Sequence, residues 1–193
     1  MKSPVGIDEV GRGPVAGPLY LCALKLSKKS SFYEACDIRD SKKLTQTSRQ
    51  AIYETLKKEK KEGKVHYALA SVTAKKIDAI GMSRALKLAV LKVIKKMNLS
   101  SSDPILLDGS LVAPTIYTNQ KTIIKGDETE ISIALASIVA KVTRDRRMEQ
   151  YSKKWPQYGF EKHKGYGTWA HYTAINQHGL TEIHRISFLK NTP

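Results

Sequence analysis

The stretch Gly6-Ile7-Asp8-Glu9-Val10-Gly11-Arg12-Gly13-Pro14 carries the strongest structural and chemical signal in the chain. A short apolar strand ends there on two adjacent carboxylates, and an arginine between two glycines follows directly. Two acids at the end of a strand are costly unless a cation lies beside them. Glycine permits positive φ and the close approach of another molecule's backbone. The segment therefore predicts a metal site next to a site for a phosphate chain.

The overall composition favours a single domain that binds a polyanion. The chain has 193 residues, of which 41% are hydrophobic, so it is long enough to bury a sizeable core. Its 33 Lys and Arg residues against 18 Asp and Glu give a net charge of +15, which is typical of a protein that binds nucleic acid. A basic protein without such a partner remains the alternative reading of this charge.

The cysteines and the apolar segments argue against a zinc-binding, a disulfide-rich, a membrane-spanning and a secreted protein. Cys22 and Cys36 are the only cysteines and form no CxxC pattern, so we expect neither a zinc site nor a disulfide framework. The chain has no run of about 18 apolar residues, so no membrane span is predicted. No signal peptide is evident before the first strand, and we expect a cytoplasmic protein.

The pattern of apolar residues predicts an α/β fold in which helices flank a mixed sheet. Strands are predicted at residues 5–8, 15–26, 65–72, 105–107 and 122–124. Helices are predicted at residues 47–62, 74–80, 83–97, 130–154 and 169–178. The helix over residues 130–154 is apolar on nearly every side in its early part, so we expect it at the centre of the fold.

Four acids stand at the ends of predicted strands, namely Asp8, Glu9, Asp108 and Asp127. Strands that end at the same edge of a sheet can bring such acids together, and a cluster of this kind needs cations to stay ionised. Oxygen ligands without His or Cys favour Mg²⁺ or Mn²⁺. Two such ions about 4 Å apart can activate a water and stabilise the leaving oxygen in phosphodiester hydrolysis.

Each of these acids also has a structural interpretation. Asp8 and Glu9 can cap a turn, and Asp108-Gly109 can be a plain tight turn. Asp127 and Glu130 have the spacing of a capping box at the start of the central helix. A capping role and a role as metal ligand are compatible, because a carboxylate has two oxygens.

Asp145 is a rival to Asp127 for the fourth position. A helical rise of about 1.5 Å per residue places Asp145 roughly 25 Å along the helix from its start. Asp127 and Asp145 therefore cannot bind the same pair of ions. Asp145 lies between arginines in Arg144-Asp145-Arg146, so we expect it on a salt-bridged face.

Three basic or glycine-rich elements are candidates for contact with the substrate. Gly11-Arg12-Gly13 can offer backbone N–H groups to an anion or a sugar hydroxyl, or it can simply be a bend. Tyr166, in the loop over residues 163–168, can stack on a sugar or a base, or be an ordinary surface tyrosine. Lys42 and Lys43 can bind phosphate as point charges. His184-Arg185 is interpreted as structural or as a phosphate contact.

Taken together, these segments resemble the bacterial ribonuclease HII family. The opening stretch is similar to the family's first motif, and Asp40-Ser41-Lys42-Lys43-Leu44 to its second. The acids of Leu107-Asp108-Gly109 and Lys125-Gly126-Asp127 stand where the family has its third and fourth acids. The segments 137–145, 163–166 and 184–188 resemble the family's central helix, substrate loop and ending, in the same order.

The resemblance implies a fold, a reaction and a set of roles. The implied fold is a ribonuclease H-like five-stranded sheet, with a catalytic domain over residues 1–155 and a small helical part over 156–193. The implied enzyme cuts RNA–DNA hybrids and incises 5′ of ribonucleotides in duplex DNA, during ribonucleotide repair. The sequence leaves the oligomeric state open, and a monomer is the default expectation. The four acids would hold two Mg²⁺ or Mn²⁺ ions. The implied substrate contacts are a 2′-hydroxyl on Gly11, Arg12 and Gly13, a deoxyribose on Tyr166, and phosphate on Lys42 and Lys43.

The chain departs from the family pattern at Lys76 and Gly81, where the family usually has glutamate and asparagine. Any family contact made from position 81 is therefore in doubt. Two other functions stay open. A nuclease of the same fold directed at DNA would use Gly11–Gly13 only as a turn. A non-catalytic nucleic-acid-binding protein would explain the charge of +15 but not four acids at strand ends.

Overall fold

Strand β1 (Val5–Val10) lies at the centre of a five-stranded sheet in the computed structural model, which describes residues 3–33 and 44–189. It pairs antiparallel with β2 (Leu19–Leu26), which pairs antiparallel with β3 (Val65–Val72). On its other side β1 pairs parallel with β4 (Ile105–Asp108), and β4 pairs parallel with β5 (Gln120–Ile123). The order β3-β2-β1-β4-β5 confirms the predicted mixed sheet.

Helices cover both faces of this sheet. The seven α-helices of the described residues are α1 (Gln46–Lys61), α2 (Ala74–Ile80), α3 (Met82–Lys96), α4 (Gly126–Thr129), α5 (Ile131–Lys154), α6 (Phe160–His163) and α7 (Trp169–His178). Short 3₁₀ helices lie at Pro156–Tyr158 and Ile186–Phe188. None of the helices in the described ranges is both long and apolar enough to cross a membrane.

Alternating side chains of the strands feed two cores, one on each face of the sheet. Leu19, Leu21 and Ala23 of β2 pack with α2 and α3 on one face. Cys22 and Leu24 of the same strand pack with α1 and α5 on the other. This alternation is the period-two signal by which the strand was predicted, and burial on both faces makes β2 a central strand.

The central helix α5 rests directly on the backbone of β1. A Cβ atom at Gly6 would lie 2.2 Å from the carbonyl carbon of Ser132 and 2.3 Å from the nitrogen of Ile133. Only glycine fits between the strand and the first turn of the helix. Ile133 and Ile138 of α5 are fully buried, which confirms the predicted central position of this helix.

The second strand is shorter than predicted, because it begins at Leu19 and not at residue 15. Residues 15–18 leave the sheet and pair with the C-terminal segment instead. Ala16 forms an isolated antiparallel bridge with His184, and the N–H of Arg185 donates to the carbonyl of Val15 at 2.8 Å. The apolar character of residues 15 and 16 therefore reflects burial in a loop.

The predicted capping box at Asp127 is wrong. Asp127 lies inside the separate short helix α4, and Glu130 occupies the N-cap position of α5 without a side-chain capping bond. Lys125 precedes α4 in a left-handed conformation, with φ of 54°. The chain thus breaks twice between β5 and α5, which the spacing of acidic residues alone did not indicate.

The segment after α5 forms a third core beside the loop over residues 15–18. Ala16, Met148, Tyr158, Phe160 and Ile183 are its main buried residues. Asp78 of α2 holds the end of the segment, because its carboxylate accepts from the N–H groups of Ile186 and Ser187 and from the Ser187 hydroxyl. The division of the chain at residue 155 stays a prediction.

The unusual glycine at position 81 has a backbone reason. Gly81 joins α2 to α3 with φ of 78° and ψ of 158°, a region that is essentially restricted to glycine. A Cβ atom there would meet no atom within 4 Å, so space is not the constraint. The residue is required by the angle at which the two helices meet.

Replacing Gly81 by alanine should therefore destabilise the protein by on the order of 1–3 kcal/mol through backbone strain alone. Urea denaturation would measure the change. Ser83→Ala, an exposed substitution two residues further on, is the control and should change stability by less than about 0.5 kcal/mol. Equal stability of the Gly81 variant and the parent protein would contradict the conformational explanation.

Candidate active site

The four predicted acids line one cleft at the edge of the sheet. Asp8, Glu9, Asp108 and Asp127 all contribute to a cavity of about 550 Å³, together with Ser137, Lys141 and Tyr166. They come from β1, from the end of β4 and from α4. Acids up to 119 positions apart in sequence are thus brought to a single place.

Strand register accounts for the position of the first two of these elements. Ile7 of β1 lies opposite Leu107 of β4 in the parallel pair. One residue further along each strand are Asp8 and Asp108, whose side chains therefore leave the same face of neighbouring strands. The charge of Asp108 acts on Asp8, as expected of close neighbours.

The short helix α4 connects the third acid to the fourth. The N–H of Gly126 donates to Asp108 Oδ1 at 2.7 Å, and Asp127 is the next residue. A Cβ atom at Gly126 would lie 2.6 Å from Cδ1 of Ile133 and 3.3 Å from Asp108 Oδ1. Glycine at this position thus lets the backbone approach Asp108 and α5 at once.

The electrostatics of the cleft are dominated by its buried acids, because the ion pair of Arg12 with Glu9 at 3.7 Å does not offset the cost of burying them. Burial raises the pKa of Asp8 well above its ordinary value, and the charges of Glu9 and Asp108 raise it further. A hydrogen bond from Ser137 and one from the N–H of Glu9 act in the opposite direction. Burial also raises the pKa of Glu9, although the nearby Arg12 lowers it. The cleft therefore favours a bound cation.

The donor set fits a hard divalent cation such as Mg²⁺ or Mn²⁺, because all four acids offer oxygen. Oδ1 of Asp8 accepts from the N–H of Glu9, and the same carboxylate also accepts from Ser137, whereas Oδ1 of Asp108 accepts from the N–H of Gly126. Within residues 3–33 and 44–189, no three side chains of the types His, Cys, Asp and Glu already enclose one ion position. Such an ion would complete its shell with water and substrate oxygens, which Mg²⁺ usually retains.

The glycines of Gly11-Arg12-Gly13 have different surroundings. Gly11 has φ of 87°, and a Cβ atom there would lie 2.2 Å from Nε of Arg144, so this glycine is packed from behind. A Cβ atom at Gly13 would meet only Cε1 of Tyr166, at 3.8 Å, which is an ordinary contact. The first glycine is needed by the fold, whereas the second faces open space beside Tyr166.

Tyr166 is half exposed at the cleft and is held by its backbone. Its carbonyl accepts from Nδ1 of His171 at 2.8 Å, and its N–H donates to the carbonyl of His163. Nε2 of His171 lies 3.0 Å from Nε2 of His184, whose Nδ1 accepts from the N–H of Thr181. These bonds fix one tautomer for each ring: His184 carries its proton on Nε2 and His171 on Nδ1.

Burial favours the neutral forms of His171 and His184. Burial lowers the pKa of His171 to about 4 and also lowers the pKa of His184. His163 stacks on His171 with ring centroids 4.4 Å apart. No metal-site spacing or other motif links the scattered histidines, so their shared position beneath Tyr166 could not be predicted from the sequence.

The remaining predicted positions fall into two groups. Lys42 and Lys43 lie outside the described residues. Asp145 does not line the cleft with the four acids, and its Oδ1 accepts from Nζ of Lys141 at 2.9 Å. The predicted salt-bridged face is thus confirmed, although the partner is this lysine and not a neighbouring arginine.

Two functional-site residues were missed or left ambiguous by sequence reasoning. Arg144 and Arg185 are fully buried, and within residues 3–33 and 44–189 they donate only to backbone carbonyls of the loops around the cleft. Arginine is usually a surface residue, so the sequence alone does not indicate that these two arginines are buried. Of the two interpretations of Arg185, burial excludes a direct phosphate contact and supports the structural one.

Residues 5–191 match the family model described as Ribonuclease HII. The ribonuclease HII of Caldicellulosiruptor bescii is 45% identical over 96% of this chain and 86% of its own length. That of Clostridioides difficile is 44% identical over 96% of this chain and 69% of its own.

Solved structures agree on the fold. RNase HII of Archaeoglobus fulgidus, from a complex with PCNA, has a TM-score of 0.78 at 24% identity and covers 95% of this chain and 94% of its own. Ribonuclease H2 of Pyrococcus horikoshii OT3 has a TM-score of 0.71 at 28% identity, over 98% and 100%. Bst-RNase HIII in complex with Mn²⁺ has a TM-score of 0.70 at 18% identity, over 96% and 67%. The chain therefore has the predicted ribonuclease H-like fold.

Replacing Asp8 by asparagine should stabilise the metal-free protein at pH 7 by on the order of 1–2 kcal/mol. The folded-state pKa of Asp8 is raised, so the ionised group costs stability at pH 7, and this cost disappears as the pH falls toward 3.8, the ordinary pKa of an aspartate. Thermal unfolding in chelator would measure the gain at pH 7 and its decrease on acidification.

Added Mg²⁺ should raise the melting temperature of the parent protein more than that of the Asp8→Asn variant, because the ion neutralises the same charge. Asp145→Asn is the control, since Asp145 is already paired with Lys141. It should give no gain in chelator. A parent protein that is more stable than the Asp8 variant in chelator would contradict the electrostatic account of the cleft.

Proposed function

Because the chain belongs to the ribonuclease HII family and is therefore a ribonuclease H, we propose that it incises duplex DNA on the 5′ side of embedded ribonucleotides and cuts the RNA strand of RNA–DNA hybrids. The observation that carries this proposal is the shared cleft of Asp8, Glu9, Asp108 and Asp127, with Tyr166 and the Gly11–Gly13 loop at its side. Acids for hydrolysis and groups for sugar recognition are thus adjacent.

The four acids would hold two divalent ions, Mg²⁺ or Mn²⁺, in the proposed enzyme. Bound ions would supply the activation of the attacking water and the stabilisation of the leaving 3′ oxygen. The chain's own part is to orient the carboxylates: Ser137 and the N–H of Glu9 hold Asp8, and the N–H of Gly126 holds Asp108. No side chain is required as a covalent nucleophile in this proposal.

The loop over Gly11–Gly13 would recognise the 2′-hydroxyl of the ribonucleotide through its backbone. Among the described residues, no hydrogen bond uses the N–H of Arg12 or of Gly13. Gly13 leaves open space in front of Tyr166, where a sugar can approach. Tyr166, half exposed at the cleft, would pack on the next deoxyribose, so that a junction between RNA and DNA is preferred.

The surroundings of the cleft suit a nucleic-acid duplex. The net charge of +15 would draw the duplex to the protein, and Lys42 and Lys43 would contact its phosphates. We also propose that the helical part after residue 155 contributes Tyr166 to a substrate-binding unit that packs on the catalytic domain. In this proposal a cytoplasmic monomer removes misincorporated ribonucleotides from DNA.

Two other functions make different demands on the same residues. A non-catalytic binding protein has no use for a buried acid cluster that repels its polyanionic ligand, so its binding would improve when Asp108 is neutralised. A DNA-directed nuclease of this fold would cut all-DNA duplexes equally well. Neither explains why the N–H groups of Arg12 and Gly13, in the loop beside the acids, have no hydrogen-bond acceptor among the described residues.

The purified protein should cut a DNA duplex that contains one ribonucleotide, on the 5′ side of that nucleotide, in Mg²⁺ or Mn²⁺ and not in chelator. Asp108→Asn should reduce the rate by on the order of 10²–10³-fold or more, because in this proposal Asp108 holds the ions that act on the phosphate. Product mapping on a denaturing gel reads the position and the rate. No incision with either metal would overturn the proposal, and equal cutting of an all-DNA duplex would favour the DNA-directed alternative.

Two alanine substitutions separate the roles of the glycines. Gly13→Ala should leave the melting temperature unchanged, because the nearest atom is 3.8 Å away, yet lower kcat/KM on the single-ribonucleotide duplex by on the order of tenfold. Gly11→Ala should lower the stability itself, by on the order of 3 kcal/mol, through its positive φ and its clash with Arg144.

Thermal melts and initial rates on the same two preparations would test both statements. If Gly13→Ala cuts as fast as the parent protein, the sugar does not approach the loop at that position. If Gly11→Ala melts like the parent protein, Arg144 does not support the loop from behind.

A further inference from the structure

Two cations are buried beneath the loop that faces the substrate. Arg144 and Arg185 are fully buried and are the two largest side chains of the interior. Neither takes part in an ion pair with any residue in the described part of the chain. A buried guanidinium without a carboxylate is costly unless its N–H groups find other acceptors, so this arrangement calls for an explanation.

The acceptors are backbone carbonyls of the loops at the cleft. Arg185 donates to the carbonyls of Gly11 at 2.6 Å, Arg12 at 2.9 Å and Gly17 at 2.8 and 3.0 Å. The three carbonyls lie on both sides of the turn that carries the second glycine. One planar side chain therefore fixes both ends of the segment over residues 11–17.

Arg144 braces the same segment from α5. It donates to the carbonyls of Ala16 at 3.2 Å, Pro18 at 3.1 Å and Lys164 at 2.9 Å. A Cβ atom at Gly11 would lie 2.2 Å from its Nε, so Arg144 occupies the space behind this glycine. Since Lys164 begins the turn that leads to Tyr166, Arg144 also ties the glycine loop to the loop of the stacking residue.

The direction of these bonds determines which groups face the substrate. A peptide unit whose carbonyl points into the protein directs its N–H to the opposite side. The carbonyls of Gly11 and Arg12 both point inward to Arg185, so the N–H groups of Arg12 and Gly13, which belong to the same peptide units, point outward. These are the two N–H groups that no described residue accepts.

We propose that Arg185, braced by Arg144, is the positioning residue that sets the selectivity for a ribonucleotide, because it turns the N–H groups of Arg12 and Gly13 toward the 2′-hydroxyl. This inference rests on the proposed function. Arg185 acts through the loop and touches no substrate, since it is fully buried.

The chemistry of arginine is needed for this role. The guanidinium is planar, stays charged, and offers five donors in a fixed fork, whereas the lysine ammonium is a single point with three donors. Burial and the neighbouring Arg144 lower the pKa of Arg185, which shows how much the surrounding carbonyls must compensate. A lysine can reach one carbonyl of the loop but cannot hold the peptide units at Gly11 and Arg12 together.

Arg185→Lys tests the proposal in two measurements on the same preparation. The first is kcat/KM on a duplex with one ribonucleotide; the second is the inhibition constant Ki of an all-DNA duplex of the same sequence, used as competitor. Phosphate contacts dominate the second quantity and the 2′-hydroxyl contributes only to the first. We expect kcat/KM to fall at least tenfold and Ki to stay within twofold of the parent value.

A merely structural role would give a different pattern, because general loosening of the cleft would weaken both substrates together. Arg146→Lys is the matched control: this arginine is on the surface of the same helix as Arg144 and contacts Glu54 and the ring of Tyr53. It should change neither quantity. Unchanged kcat/KM in a folded Arg185→Lys protein, or an equal loss in both quantities, would overturn the proposal.

A second variant serves if Arg185→Lys does not fold. Asp78→Asn weakens the attachment of the segment that carries Arg185, because Asp78 accepts from the N–H groups of Ile186 and Ser187. It should lower kcat/KM in the same direction with Ki unchanged, and an unaltered ratio would count against the proposal. If the parent protein itself fails to cut or to distinguish the two duplexes, the proposed function fails and not the role of Arg185.

Discussion

The contact between α5 and the backbone of the first strand is the constraint on which the rest of this structure depends. Gly6 removes the side chain that would separate them, and Ser132 and Ile133 fill the space. From there the helix runs beside the opening motif, so that each later turn meets a later part of that motif. Ser137 reaches Asp8, Arg144 lies behind Gly11, and Met148 lies against Gly17 and Gly165. One helix therefore sets the positions of the acids and of the recognition loop together.

The two kinds of buried charge in the molecule are stabilised in different ways. The acids at the cleft repel one another, and burial raises the pKa of Asp8 and Glu9, so part of their cost is left for a cation to remove. Arg144 and Arg185 are compensated inside the protein by six carbonyl groups of the loops. The charges of the two buried arginines are thus compensated within the protein, whereas the charges of the acids at the cleft call for a bound cation. The compensated arginines belong to the structural framework, and the acids belong to the candidate active site.

Much of the fold and of the acid cluster could be predicted from the sequence, because both follow from local patterns. Alternation of apolar residues marks the strands, and acids that directly follow such strands are brought together by parallel register, as with Asp8 and Asp108. The length of the helix correctly separated Asp145 from the cleft. The predicted start of β2 at residue 15 is too early, because Val15 and Ala16 are buried by the C-terminal segment and not by the sheet.

What could not be predicted depends on contacts between distant segments. Nothing near Arg185 in the sequence indicates that its partners lie at Gly11, Arg12 and Gly17. The three histidines beneath Tyr166 are likewise unrelated by spacing, and their tautomers follow only from the bonds of the folded chain. Because the carbonyls of Gly11 and Arg12 are held by a side chain more than 170 positions later, a nascent chain that stops after the central helix lacks the group that holds this loop. In a growing chain, the loop over Gly11–Gly13 can therefore reach the conformation described here only after the segment around residue 185 has been synthesised.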